Sequence, residues 1–145
     1  MNKLIVAICC VFFIAGDAAA GEATGVAVER LAKTTMSWDG GALPNYATST
    51  PEISILRIRI APGVQLPMHN HPVINAGVLL SGQLTVVTED NKTLHLKAGQ
   101  AIVEVVNKWH SGKNEGDDVA EIIVFYAGAI GTPLTVERQA TPQKD

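Results

Sequence analysis

Four histidines stand in the 145-residue chain: His69, His71, His95 and His110. His69 and His71 are one residue apart in a stretch that reads as extended. Strand side chains at i and i+2 share a face, so both imidazoles can converge on one ion. His110 follows a β-branched run and the turn-like pair Asn107-Lys108, and is the candidate for a third nitrogen from a distant strand. Neutral imidazole serves Zn, Fe, Ni and Cu alike. Mn also stays among the divalent ions, so residue type does not discriminate the metal. Three histidines with an open fourth position is the arrangement of a catalytic zinc. His95 lies between Leu94 and Leu96, on the exposed phase of a hairpin strand, and reads as an ordinary surface histidine.

No competing chemistry accompanies these residues. The chain has no G-x-S-x-G elbow, no phosphate loop and no C-x-x-C pair. Ser37, Ser54, Ser81 and Ser111 lack a triad context. Lys and Arg number 11 against 14 Asp and Glu, a net charge of −3 with no basic stripe. That balance argues against a nucleic-acid partner. A hydrophobic content of 47% excludes a disordered chain.

The first twenty residues read as a targeting segment. Lys3 supplies a positive start, and Leu4 to Ile14 is an unbroken apolar run. Gly16 and Asp17 break it, and Ala18-Ala19-Ala20 supplies a small-residue cleavage site. This is the pattern of a secretory signal peptide, with a run shorter than the roughly 20 residues that span a bilayer. Both cysteines, Cys9 and Cys10, fall inside it. Cleavage after Ala20 leaves a periplasmic or secreted protein with no disulfide and no stable membrane anchor. A chain of that length can bury roughly two-thirds of its unfolded surface without such a staple.

The elements that must position the histidines are strands. Residues 21–50 form an N-terminal segment, with Val26 to Lys33 ambiguous between helix and strand and Asp39-Gly40-Gly41 marking a turn. From Glu52 onward, extended runs alternate with turns. The runs are Ile53 to Ile60 (with Arg57 and Arg59 on a wet face), Met68 to Ile74, Ala76 to Leu80, Gln83 to Thr88, Thr93 to Lys97, Ala101 to Val106 and Ala120 to Tyr126. Turn signals fall about every 8 to 12 residues, and no amphipathic helix intervenes. That rhythm predicts an all-β, antiparallel jelly-roll β-barrel over residues 51–131. Residues 132–145 read as a polar C-terminal tail. Trp38 is expected to pack the N-terminal segment against the barrel or a dimer partner.

The spacing of the histidines resembles the two motifs of the cupin superfamily. Gly63, His69, His71 and Gly82 match the first motif, and Gly99, His110 and Asn114 match the second. The resemblance implies a small jelly-roll barrel that holds one divalent metal ion through His69, His71 and His110, and a homodimer. The chain departs from the pattern at three positions. Asn75 stands where the family places a ligating glutamate, Val105 where it places a proline, and Asn107 at a glycine. Asn tolerates the left-handed region, so Asn107 is a mild change. Asn75 is either a weak fourth ligand or a loop-ordering residue. Without the carboxylate, the site loses one unit of compensating charge.

Other residues bear on the pocket. Glu104 is the one polar residue in the run Ala101 to Val106. On an edge strand it is expected to point outward into water; inward, it would be a general base or a replacement ligand. Gly77 shares a face with Asn75 and is expected to leave room beside the ion. Trp109 is rim or core, and the Tyr126 hydroxyl needs a partner if buried. The expected function is a metal-dependent site acting on a small polar molecule, dioxygenase-, isomerase- or hydratase-like. The alternatives are a non-catalytic module for a sugar or organic acid, and a metal-handling protein.

Overall fold

The computed structural model describes residues 25–139. The targeting segment over residues 1–20 lies outside these, as do the last residues of the tail. Among the described residues there is no helix. Nine strands of the described residues form two antiparallel sheets. One sheet has the order β1-β8-β3-β6, from Pro51–Ile60, Ala120–Ala129, Ile74–Ser81 and Ala101–Val103. The other has the order β5-β4-β7-β2-β9, from Thr93–Lys97, Gln83–Thr88, His110–Lys113, His69–Asn70 and Val136–Glu137. The all-β jelly roll expected from the turn rhythm is the fold observed.

Side-chain alternation places the core between the sheets. In β3, Asn75, Gly77 and Leu79 point inward, and β4 buries Leu84, Val86 and Thr88. In β8, Ala120, Ile122, Val124 and Tyr126 face them. Burying a residue such as Leu79 or Ile102 contributes roughly 1.5–3 kcal/mol. β1 alternates with the period expected, Arg57 and Arg59 on the wet face. Ile58 and Ile60 face the interior, whereas Ile53 and Ile55 share the outer face with Arg57 and Arg59 and are exposed. Both arginines pair with Glu121 of β8, at 2.9 and 2.6 Å.

Three segments differ from the sequence reading. Val26 to Lys33 is neither helix nor strand but an exposed extended arm. His110 opens a strand, β7, in a polar stretch (His-Ser-Gly-Lys) without the apolar alternation that marks the others. Residues 132–138, polar in composition, run back over the barrel. There β9 pairs with β2, and the Arg138 amide donates to the Met68 carbonyl at 2.8 Å.

The turns carry the motif residues. Asn107 adopts φ +56°, the left-handed conformation expected for it in place of glycine. Asn114 is fully buried, and its side-chain amide donates to the carbonyls of Ile60 and Asp118 at 2.9 and 2.8 Å. It pins the end of β1 to the turn before β8. Gly82 links β3 to β4 with φ +72°, and an added Cβ would stand 2.8 Å from Ala120 Cα and Val119 O. Gly131 has φ +80° but open space around it. Gly82→Ala is therefore expected to lose about 2–4 kcal/mol, combining backbone strain with a backbone clash. Gly131→Ala should lose only about 1 kcal/mol. Urea unfolding of both variants measures the difference, and equal losses would refute the close packing at Gly82.

Candidate metal centre

His69 and His110 face each other across the β2–β7 pair, in direct register. His71 follows β2 by one residue and still turns to the same side. The ring centroids lie 4.4 Å apart for His69 and His110, and 5.0 Å apart for each of the other two pairs. One ligand nitrogen from each residue lies within 4.8 Å of the other two. All three side chains are buried. The expected trio is thus brought together. His95 stands apart on β5, exposed, with Thr85 as its partner.

Backbone carbonyls set the orientation of each ring. His69 Nδ1 lies 2.7 Å from the Pro67 oxygen, His71 Nδ1 2.8 Å from Leu134 and His110 Nδ1 2.9 Å from Lys108. A carbonyl only accepts, so each Nδ1 carries the proton and donates it. Every Nε2 is left as a lone pair, the form a metal needs. His110 Nε2 is buried with no hydrogen-bond partner. A buried orphan acceptor costs energy unless something fills the space before it. This donor set fits a divalent cation. Burial lowers the pKa of all three rings, with His71 falling to about 4, so they stand neutral near pH 7.

The trio opens onto a cavity of about 230 Å³ between the sheets. Its far walls are aliphatic, from Ile58, Ile102, Ile122 and Val124 among others. Asn75 lines it from β3. Its Nδ2 makes one long bond to the Val73 carbonyl at 3.4 Å, and its Oδ1 has no partner. Tyr126 lies opposite Asn75 in the β3–β8 register, with its ring 5.6 Å from that of His71. Burial pushes its hydroxyl up to about 12, so it acts as a neutral donor.

Glu104 corrects the outward placement expected for it. It follows β6 two residues after buried Ile102, so period two turns it inward, where it lines the cavity with 13% of its side chain exposed. Its Oε2 lies 3.8 Å from His110 Nε2. The edge of the sheet is dry there because the turn around Trp38 covers it. Trp38 donates its backbone N–H to the Val103 carbonyl at 2.9 Å and its indole N–H to Glu104 Oε2 at 3.3 Å. Asp39 anchors that turn. Ser37 Oγ and the Gly41 amide donate to its carboxylate, and Lys108 pairs with it at 2.7 Å. Burial alone would raise Asp39, but these partners hold it well below the usual carboxylate range.

Gly77 also differs from expectation. A side chain there would meet the Ile123 carbonyl at 2.8 Å and the Ile122 and Val124 side chains at 3.2 Å. The glycine admits close packing by β8 rather than open room beside an ion. Trp109 is half-buried and does not line the cavity, with the Arg138 guanidinium 4.6 Å above its ring. Two contacts escape the sequence reading, although Trp38 itself packs on the barrel as expected. Leu134 gives a carbonyl from a stretch with no regular pattern. Trp38 sits 66 positions from Glu104, and only the parity of Ile102 and Glu104 hinted that the latter faced inward.

Arranged this way, the fold and site define a jelly-roll protein with a three-histidine centre able to bind a metal. Residues 56–126 match the family model described as a cupin domain. The chain belongs to the cupin superfamily. A solved oxalate oxidase in complex with the substrate analogue glycolate is 27% identical, with TM-score 0.51, covering 59% of this chain and 45% of its own. The chain therefore spans less than half of that protein. A DMSP lyase from Ruegeria pomeroyi is 19% identical over 68% of this chain and 46% of its own, with TM-score 0.52. An uncharacterized Klebsiella pneumoniae protein with a double-stranded β-helix domain is 16% identical over 66% of this chain and 90% of its own, also with TM-score 0.52. The last two show the fold alone. No curated protein matches the chain in sequence.

The histidines make a pH signature in the metal-free protein. Their folded pKa values lie below the unfolded value, so as pH falls the unfolded chain takes up protons first. Their stabilising contribution is complete above about pH 6.5 and is lost as pH falls through each folded value, about 4 for His71. Glu104, raised by burial to about 7, works in the opposite sense, gaining stability as pH falls through its folded value. A comparison that cancels Glu104 isolates one ring. Relative to wild type, His71→Gln is expected to gain up to about 3 kcal/mol between pH 7 and pH 4. Urea unfolding at both pH values measures this, and a pH-independent difference would contradict a depressed His71.

Proposed function

We propose that the protein is an exported cupin that binds one divalent metal ion through His69, His71 and His110 and uses it to activate a small molecule bearing at most one negative charge. The observation that carries this reading is the set of three Nε2 lone pairs, each fixed by an Nδ1–H bond to a carbonyl, opening onto a mainly aliphatic cavity. The bound ion would supply Lewis acidity toward an oxygen donor or water. Among the described residues, no Lys or Arg lines the cavity. The ion is then the one full positive charge available there. A carboxylate or hydroxyl would face it, the aliphatic walls would take an apolar remainder, and the Tyr126 hydroxyl would donate a hydrogen bond.

The similarity to oxalate oxidase supports a small organic acid as the substrate class. Charge favours a monocarboxylate over a dianion, since no second cation awaits a second carboxylate. The signal-like leader supports export. The apolar strip of Ile53, Ile55 and Phe125 on the outer face of the β1–β8 pair supports a homodimer.

Metal content tests the reading first. Protein purified without a His-tag should carry near-stoichiometric divalent metal by elemental mass spectrometry, and His69→Ala/His71→Ala should carry none. No metal in the wild type, even after reconstitution with Zn, Fe, Mn, Ni and Cu, would overturn it. With the ion loaded, glycolate should raise the melting temperature more than oxalate does. Turnover of small monocarboxylates, followed by mass spectrometry, then separates an enzyme from a binding module.

A further inference from the structure

Glu104 is a carboxylate in an unusual place. It sits at the wall of an apolar cavity, and among the described residues no Lys or Arg lines that cavity or pairs with it. Two neutral donors touch its Oε2, the Trp38 indole N–H and the Val105 amide, both at the long distance of 3.3 Å. Burying a carboxylate against aliphatic walls is costly unless a positive charge compensates it. The neighbouring imidazoles are neutral and present lone pairs, so the protein itself leaves Glu104 without a countercharge. The position before the unpartnered His110 Nε2 lone pair, with Glu104 Oε2 3.8 Å away, suits a positive charge.

Ladder register relates this carboxylate to Asn75. β3 and β6 pair Ala76 with Val103, and the next step along the ladder sets Asn75 opposite Glu104. The Glu104 amide donates to the Asn75 carbonyl at 3.0 Å, which continues the pairing. Opposed residues project to the same face with Cβ atoms roughly 4.5–5.5 Å apart. The two side chains therefore address one space from adjacent strands. Two carboxylates at those positions would repel each other, whereas a carboxamide beside a carboxylate does not.

We propose that Glu104 supplies the anionic ligand of the metal centre, across the ladder from the neutral Asn75, making the donor set three histidines and one β6 glutamate. The inference rests on the metal reading of the three histidines given above. Atoms bound to one ion at about 2.1 Å each stand roughly 3 to 4 Å apart. The 3.8 Å between Glu104 Oε2 and His110 Nε2 falls in that range. Glu104 does not join the set of ligand atoms that all lie within 4.8 Å of one another, so engaging the ion beside His69 and His71 requires rotation about its side-chain torsions, which its two long hydrogen bonds oppose weakly. Such a set would carry one negative charge toward a divalent ion, and it bears on affinity as well as chemistry.

The test is metal binding, independent of any activity. Metal-free wild type, Glu104→Gln and the exchange variant Asn75→Glu/Glu104→Gln are titrated with Co(II) and Zn(II) by calorimetry, and the Co(II) visible spectrum is recorded. Melting of the metal-free proteins confirms that each variant folds. Glu104→Gln is expected to bind at least about tenfold more weakly with an altered Co(II) spectrum, and the exchange variant should recover wild-type affinity within about threefold. Wild-type affinity and an unchanged spectrum in Glu104→Gln would overturn the ligand assignment while leaving the three-histidine site standing. A loss that the exchange does not recover would also overturn it. No binding by the wild type would overturn the metal reading itself, and this inference with it.

Discussion

Three hydrogen bonds from imidazole Nδ1 to main-chain carbonyls govern the centre of this protein. An imidazole can present either nitrogen, and a free ring in a cavity would sample both. Here the carbonyls of Pro67, Lys108 and Leu134 take the Nδ1 proton of each ring. Backbone oxygen sites are set by the fold and vary little with side-chain motion. The lone pairs are therefore aimed before any ion arrives, by carbonyls that each lie two residues before a strand, β2, β7 or β9. The direct opposition of His69 and His110 across β2 and β7 does the same for their distance.

The two sheets divide the work. The sheet with β2 and β7 gives the imidazoles. The sheet with β3, β6 and β8 gives the facing groups, Asn75, Glu104 and Tyr126, and much of the aliphatic wall. A ligand held between them meets lone-pair donors on one side and a hydroxyl, a carboxamide and a carboxylate on the other. The alternation of strands produces this polarity directly. Inward positions beside the imidazoles, Asn75 and Tyr126, are polar, and inward positions further along the same strands, such as Leu79 and Ile122, are apolar.

Much of this was legible in the residues, for physical reasons. Strands β4 and β5 read with their observed bounds because β-branched and apolar residues alternate between clear turn signals. The histidine trio stood out because i, i+2 spacing on an extended chain has one geometric outcome. Asn107 was read through its tolerance of positive φ, which it adopts. Glu104 reads as outward because an edge strand is ordinarily wet, whereas a turn far back in the sequence covers this one. No local pattern encodes the Trp38–Glu104 contact, since it depends on Asp39 and Lys108 docking that turn. The stretch 132–138 looked like a tail because its composition is polar. What folds it is main-chain pairing with β2, which composition does not report. Gly77 was read as vacancy, although a missing Cβ can equally serve a neighbour's approach.

The carbonyl that orients His71 comes from Leu134, near the end of the chain, and the indole that holds Glu104 comes from Trp38, near its beginning. The centre is thus closed by two long loops, spanning 63 and 66 positions. Such contacts carry the entropy cost of bringing distant segments together. A nascent or partly folded chain holds the H-x-H pair but not its aim. Competence to bind an ion is therefore a property of the finished topology, and the centre acts as a checkpoint that only a completely wound barrel passes.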